Sequence, residues 1–122
     1  MLIEGVPGSG KSTMALALID RGAQLVGDDG VMLAAHQNRL IAKPHPRTQG
    51  LLEIRNLGIL PFEFCARVSI ALVVVLDEHA PRFIEGAPLV ERGGVQLPSI
   101  TIWPGSSALK VEHGLRIFGI SE

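Results

Sequence analysis

Residues 5 to 12 read Gly5-Val6-Pro7-Gly8-Ser9-Gly10-Lys11-Ser12. They fit the pattern G-x-x-x-x-G-K-[ST]. Each residue type in it has a mechanical job. Gly5, Gly8 and Gly10 let the backbone bend and carry its N–H groups close to an anion. The Lys11 ammonium can reach the β- and γ-phosphates of a nucleotide as a point charge. The Ser12 hydroxyl can ligate Mg²⁺. Ser9 and Thr13 complete the segment that would wrap the phosphates. The pattern therefore predicts ATP and Mg²⁺ binding at Gly5, Gly8, Ser9, Gly10, Lys11, Ser12 and Thr13. It does not say what receives the phosphate.

Such a loop works between a strand and a helix, because the helix N-terminus favours the same anion. Leu2-Ile3-Glu4 reads as a strand end and Thr13 to Arg21 as a helix, with Gly22 at the position of a C′ glycine. Gln24-Leu25-Val26 reads as a short strand that ends at Gly27-Asp28-Asp29-Gly30. Val31 to Ala35 and Arg39 to Lys43 flank His36-Gln37-Asn38 and predict a β-hairpin. Pro44 and Pro46 make residues 43–47 a loop. Leu51 to Leu60 carries Glu53 and Arg55 among apolar neighbours. Val68 to Leu76 is the strongest strand. Arg82 to Leu97 reads as short strands around Gly93-Gly94, and Ser99 to Trp103 as another strand. Ser106 or Ser107 can cap a final helix whose stripe is Ala108, Val111, Leu115 and Phe118. The whole is α/β and β-rich, without regular βαβ alternation.

Phosphoryl transfer needs a carboxylate for Mg²⁺ and a group that orients or deprotonates the acceptor. Two acidic pairs compete. Asp77-Glu78 ends the apolar run Ile70 to Leu76, which is the form of a Walker-B element. That reading implies an ATPase or a small-molecule kinase. Asp28-Asp29 follows the helix behind the glycine-rich loop. A parallel return strand would bring Asp28 to the same sheet edge as Gly5, where α/β sheets bind ligands. Geometry favours this second pair.

Composition bounds the rest. The chain has 122 residues, 47% of them hydrophobic, enough for one packed domain over residues 1–122. The net charge of −1 gives no electrostatic case for nucleic acid or an anionic membrane. The run Ile70 to Leu76 is too short to span a bilayer, which takes about 20 residues. No secretory signal is visible. Cys65 is the one cysteine, read as a small buried apolar residue. The absence of an internal disulfide fits a cytoplasmic protein.

Gly5 to Ser12, Ala15-Leu16, Ile19 to Asp29 and Leu51-Leu52-Glu53-Ile54-Arg55-Asn56-Leu57-Gly58-Ile59 together resemble the catalytic domain of HPr kinase/phosphorylase. That bacterial family phosphorylates a serine on the phosphocarrier protein HPr. The Leu-Leu-Glu-Ile-Arg segment followed by Leu-Gly-Ile is its own signature. The resemblance implies a P-loop fold akin to that of phosphoenolpyruvate carboxykinase, and a homo-oligomer, often a hexamer. It implies that Lys11 binds phosphate and Ser12 and Glu53 hold Mg²⁺. Asp29 would take the seryl proton in the kinase direction and return it in the phosphorylase direction. Arg82 aligns with a catalytic arginine in looser flanking sequence. Asp77-Glu78 has no catalytic counterpart there.

Three departures stand out. The family has a histidine upstream of the loop, and none of His36, His45, His79 or His113 matches it. The expectation is a domain short of its N-terminal strand or strands, a weak or inactive kinase prone to self-association. A non-catalytic nucleotide-binding remnant is the alternative from a different class. Asn56 replaces a glycine of the signature, and Thr13 replaces a frequent acidic residue.

Overall fold

The computed structural model describes residues 1–28 and 30–121. Asp29 lies outside the described residues. The elements are β1 (Leu2–Gly5), α1 (Lys11–Asp20), β2 (Met32–His36), β3 (Arg39–Lys43), β4 (Leu51–Ile54), β5 (Gly58–Pro61), β6 (Val68–Ser69), β7 (Val73–Leu76), β8 (Leu89–Arg92), β9 (Val95–Ile102) and α2 (Ala108–Phe118).

The main sheet has the order β1-β7-β9-β8. β1, β7 and β9 are parallel, with Gly5 opposite Leu76 and Leu76 opposite Ile102. β8 joins antiparallel through a tight hairpin. Its two turn residues, Gly93 and Gly94, both have positive φ, as a turn matched to strand twist requires. Strand side chains alternate between faces. Leu72, Val74 and Leu76 accordingly join Met14 and Leu18 of α1 and Val111 of α2 in one core. Val73 packs on the other face with Leu40, Ala42, Ile70, Val95 and Leu97. The second sheet, β2-β3-β6, covers that face. The result is three layers: helices, main sheet, small sheet. β7 is buried from both sides, which explains its unbroken valine run.

α1 ends in a full Schellman arrangement. Gly22 (φ 107) donates to the Ile19 carbonyl at 2.9 Å, and Ala23 to the Leu18 carbonyl at 3.0 Å. α2 starts at Ser107, whose hydroxyl accepts from the Leu109 N–H at 3.1 Å. Gly114 of α2 faces Ile100 so closely that a Cβ there would sit 2.5 Å from Ile100 Cδ1.

Four expectations need correction. Val68 to Leu76 is two strands. β6 pairs with β3 in the small sheet, and residues 70–72 carry the chain across to β7. The apolar run is continuous because the crossing itself is buried: Ile70 is 2% exposed and Leu72 0%. Gln24 to Val26 does not add a strand beside β1; Leu25 makes one isolated bridge to Phe64. The parallel neighbour of β1 is β7 instead. Residues 82–88 form bends, so the strands in that stretch begin at Leu89. The hairpin of β2 and β3 forms as expected, turning on Gln37 (φ 51) and Asn38 (φ 64). Cys65 is only half-buried, with its thiol donating to the Arg67 carbonyl at 3.1 Å.

Candidate phosphate-transfer site

A cleft of about 570 Å³ opens where β1 runs into α1, with walls from Pro7, Gly8, Gly10, Lys11, Ser12, Thr13, Leu16, Asp28 and residues 53–56. The loop is built by its glycines. Gly8 (φ 83) and Gly10 (φ 97) both take left-handed backbone, which other residues enter only at a cost. Gly10 is the N-cap of α1, and no side chain caps this end. The first N–H groups of the helix are therefore left to solvent or to an anion.

The opposite wall comes from the β4–β5 hairpin, which packs against α1. Its turn closes with the Leu57 N–H on the Ile54 carbonyl at 3.0 Å. Asn56 sits third in that turn at φ 72, a place for glycine or asparagine. The replacement of the signature glycine is thus accommodated, because asparagine tolerates this conformation. Arg55 leans over the loop, with Nη2 3.9 Å from where a Cβ on Gly8 would stand. Asp28 is fastened to the same wall: the Glu53 N–H donates to its Oδ2 at 3.3 Å.

Most of the residues expected at the site come together. Gly8, Gly10, Lys11, Ser12, Thr13 and Glu53 line one cleft. Gly5 and Ser9 stand behind the lining. Ser9 is buried with its hydroxyl turned toward Gly5, and any contact it makes with phosphate is through its backbone. Arg82 is not brought to this cleft. It lines a second one, between the segment after β7 and α2. After Asp77, whose carboxylate accepts from the His79 N–H at 2.8 Å, the chain places Arg82 among residues of β9 and α2. Asp77 and Glu78 are exposed and absent from the cleft wall. Asp28, one of the acidic pair favoured from the sequence, does line the cleft, although no strand carries it there. The residue that sequence reasoning left without a role is Arg55, and its signal was present, because it lies inside the Leu-Leu-Glu-Ile-Arg segment.

The donors here are hard oxygens, the Ser12 hydroxyl and the Asp28 and Glu53 carboxylates, with Lys11 and Arg55 as cations. Such a set suits Mg²⁺ together with phosphate. Among the described residues no group of three His, Cys, Asp or Glu forms a protein-only metal cage.

The HPr serine kinase C-terminal domain profile matches residues 1–79. The chain belongs to this family. HPr kinase/phosphorylase of Clostridium tetani (strain Massachusetts / E88) is 47% identical over 60 residues, covering 49% of this chain and 20% of that protein. The Shouchella clausii (strain KSM-K16) protein of the same name is 48% identical over 61 residues, covering 49% and 20%. The chain spans about a fifth of the length of these relatives. The solved HPr(Ser) kinase/phosphatase from Coxiella burnetii superposes with a TM-score of 0.82 at 26% identity, over 93% of this chain and 83% of that one. As a member of the HPr serine kinase family, the chain keeps the mixed α/β architecture well past the matched residues, through β8, β9 and α2.

Proposed function

We propose that this cleft binds ATP and passes its γ-phosphoryl group to a serine of the phosphocarrier protein HPr or a similar acceptor. The bond from the γ-phosphorus to the bridging oxygen breaks, and ADP leaves with the electron pair. The seryl oxygen forms the new bond, and its proton passes to Asp29. Lys11 and the bare N-terminus of α1 hold the phosphates. Arg55 stands over the loop as the cation available to the transferred group. Ser12 and Glu53 would hold Mg²⁺, with Asp28 beside them. When bound, the ion neutralises developing charge on the phosphate oxygens. In phosphorylase action inorganic phosphate attacks the phosphoserine phosphorus, the bond from phosphorus to the seryl oxygen breaks, pyrophosphate forms, and Asp29 returns the proton to the seryl oxygen. The protein is further read as a cytoplasmic homo-oligomer. Among the described residues no helix is long and apolar enough to cross a membrane.

One observation carries the reading. Lys11, Ser12, Asp28 and Glu53 come from three separate segments and line one cleft, in a chain of this family. The Walker-B alternative loses support, because Asp77 and Glu78 stay outside that cleft.

Two variants test it. Lys11→Ala removes a charge-assisted phosphate contact and should weaken ATP binding by about tenfold or more, some 1.4 kcal/mol in calorimetry. Unchanged affinity would show the site is misassigned. Asp29→Asn should keep ATP binding and lose phosphoserine formation on HPr. If Glu78→Gln abolishes turnover while Asp29→Asn stays active, the ATPase reading is right instead.

A further inference from the structure

The second cleft, about 270 Å³, lies between residues 80–84, the end of β9 and α2. Its floor is Ile84, Ile100, Ile102 and Phe118. Around its mouth stand apolar side chains left in water: Phe83 is 81% exposed, Ile117 65% and Trp103 48%. Apolar groups gathered at one place on a surface mark contact sites. The charged part of the rim has one sign. Arg82 and Lys110 supply it and no carboxylate lines the cleft, while the His113 ring accepts from Arg116 through Nδ1. Among the described residues Arg82 has no ion-pair partner. Lys110 lies over the Trp103 ring, 5.6 Å from its centroid, and donates to the Ser106 hydroxyl at 3.0 Å. The Trp103 indole is fixed in turn by donating to the Ala80 carbonyl at 3.0 Å.

Position gives this patch a meaning. β1, β7 and β9 run parallel. The phosphate loop leaves the C-terminal end of β1, residues 77–84 leave that of β7, and Trp103 leaves that of β9. The apolar, cationic groove thus opens at the same end of the sheet as the phosphate cleft.

We infer that this groove docks a polypeptide segment of the acceptor protein that carries apolar side chains flanked by carboxylates. The inference rests on the phosphotransfer reading above. Phe83, Trp103 and Ile117 line the groove and are exposed along it, which suits a chain segment. Its acidic character follows from charge complementarity with Arg82 and Lys110. Docking there holds the acceptor by a surface separate from its seryl group.

Trp103 is the only tryptophan and the chain has no tyrosine, so its fluorescence reports the groove directly. The full chain is titrated with a short peptide alternating leucine with glutamate, and with its lysine counterpart. The glutamate peptide should shift Trp103 emission, more weakly as salt rises. Lys110→Glu and Ile117→Glu, both at exposed positions, should each weaken that response by about tenfold. In phosphotransfer to HPr the same variants should raise the acceptor KM and leave ATP affinity and kcat near wild type. Equal responses to both peptides, or an acceptor KM unmoved in both variants, would overturn the docking assignment. Failure of the wild-type chain to bind ATP would sink the phosphotransfer reading instead, and the peptide titration would still decide the groove.

Discussion

Ser9 lies in the middle of the phosphate loop, yet its hydroxyl is buried and makes no hydrogen bond among the described residues. Burying a hydroxyl without a partner costs about 1–3 kcal/mol. Ser9→Ala should therefore raise stability in urea unfolding, by up to about 1 kcal/mol after the lost packing is counted, and leave ATP affinity intact. A loss of affinity would mean that the hydroxyl turns to the ligand. Gly5 tells the complementary story. A Cβ there would collide with Ser9 Oγ and approach Leu76 Cβ to 3.3 Å. Gly5→Ala should cost about 1–3 kcal/mol and part of that cost should vanish in the Ser9→Ala background, read by a double-mutant cycle. The motif spacing brought Lys11 and Ser12 forward as lining residues of one cleft, because side-chain type marks them. It could not announce which glycines bend the loop toward ligand and which only make room inside. That depends on Leu76, a residue distant in sequence. Asn56 is a middle case. Its type is compatible with positive φ, but only the turn at Ile54–Leu57 reveals that the position demands it. Asn56→Val should destabilise by about 1–2 kcal/mol per left-handed β-branched residue, with circular dichroism melting as the check.

At the level of elements, local signals were readable and long-range partners were not. The α1 end at Gly22, the Gln37-Asn38 hairpin and the Ser107 cap follow from turn and cap chemistry, so short windows of sequence found them. The division of Val68 to Leu76 between two sheets did not show. A buried crossing and a buried strand both read as unbroken apolar sequence. The same limit hid the clamp between β1 and β8. Arg92 donates from Nε and Nη2 to both carboxylate oxygens of Glu4, each at 2.7 Å. Glu4 directly precedes the loop, so the pair anchors the strand from which the phosphate site hangs. Both side chains are about one-third exposed. Arg92→Met should therefore cost on the order of 1 kcal/mol, reduced in high salt. Arg92→Lys should recover little, for lysine lacks the planar fork. Gly114 is the other element-scale contact. Gly114→Leu would drive a large side chain into Ile100 and part α2 from β9, at a cost of about 1–3 kcal/mol or more.

The whole molecule presents uncovered edges. β2 is an edge strand of the small sheet, exposed along its length, with Met32 46% and Leu33 39% in contact with solvent. On β5, Ile59 is likewise exposed. Unpaired apolar edges invite association, which favours the homo-oligomer reading. Leu33→Lys with Ile59→Lys should reduce the mass seen by light scattering and leave ATP binding unchanged. No shift in mass would remove these edges as the contact. The layered plan also has a consequence for how the protein comes into being. Among the described residues the strand that carries the glycine-rich loop pairs with β7 alone, and α1 and β2 to β6 intervene in the chain. Closing so long a loop is slow and entropically costly. On a translating ribosome the glycine-rich motif emerges before its neighbour and hangs unpaired until Leu76 and its support on β9 have been made. The segment that carries the motif should stay open to protease in nascent chains stalled before β7 and become resistant only once Ile102 has cleared the exit tunnel.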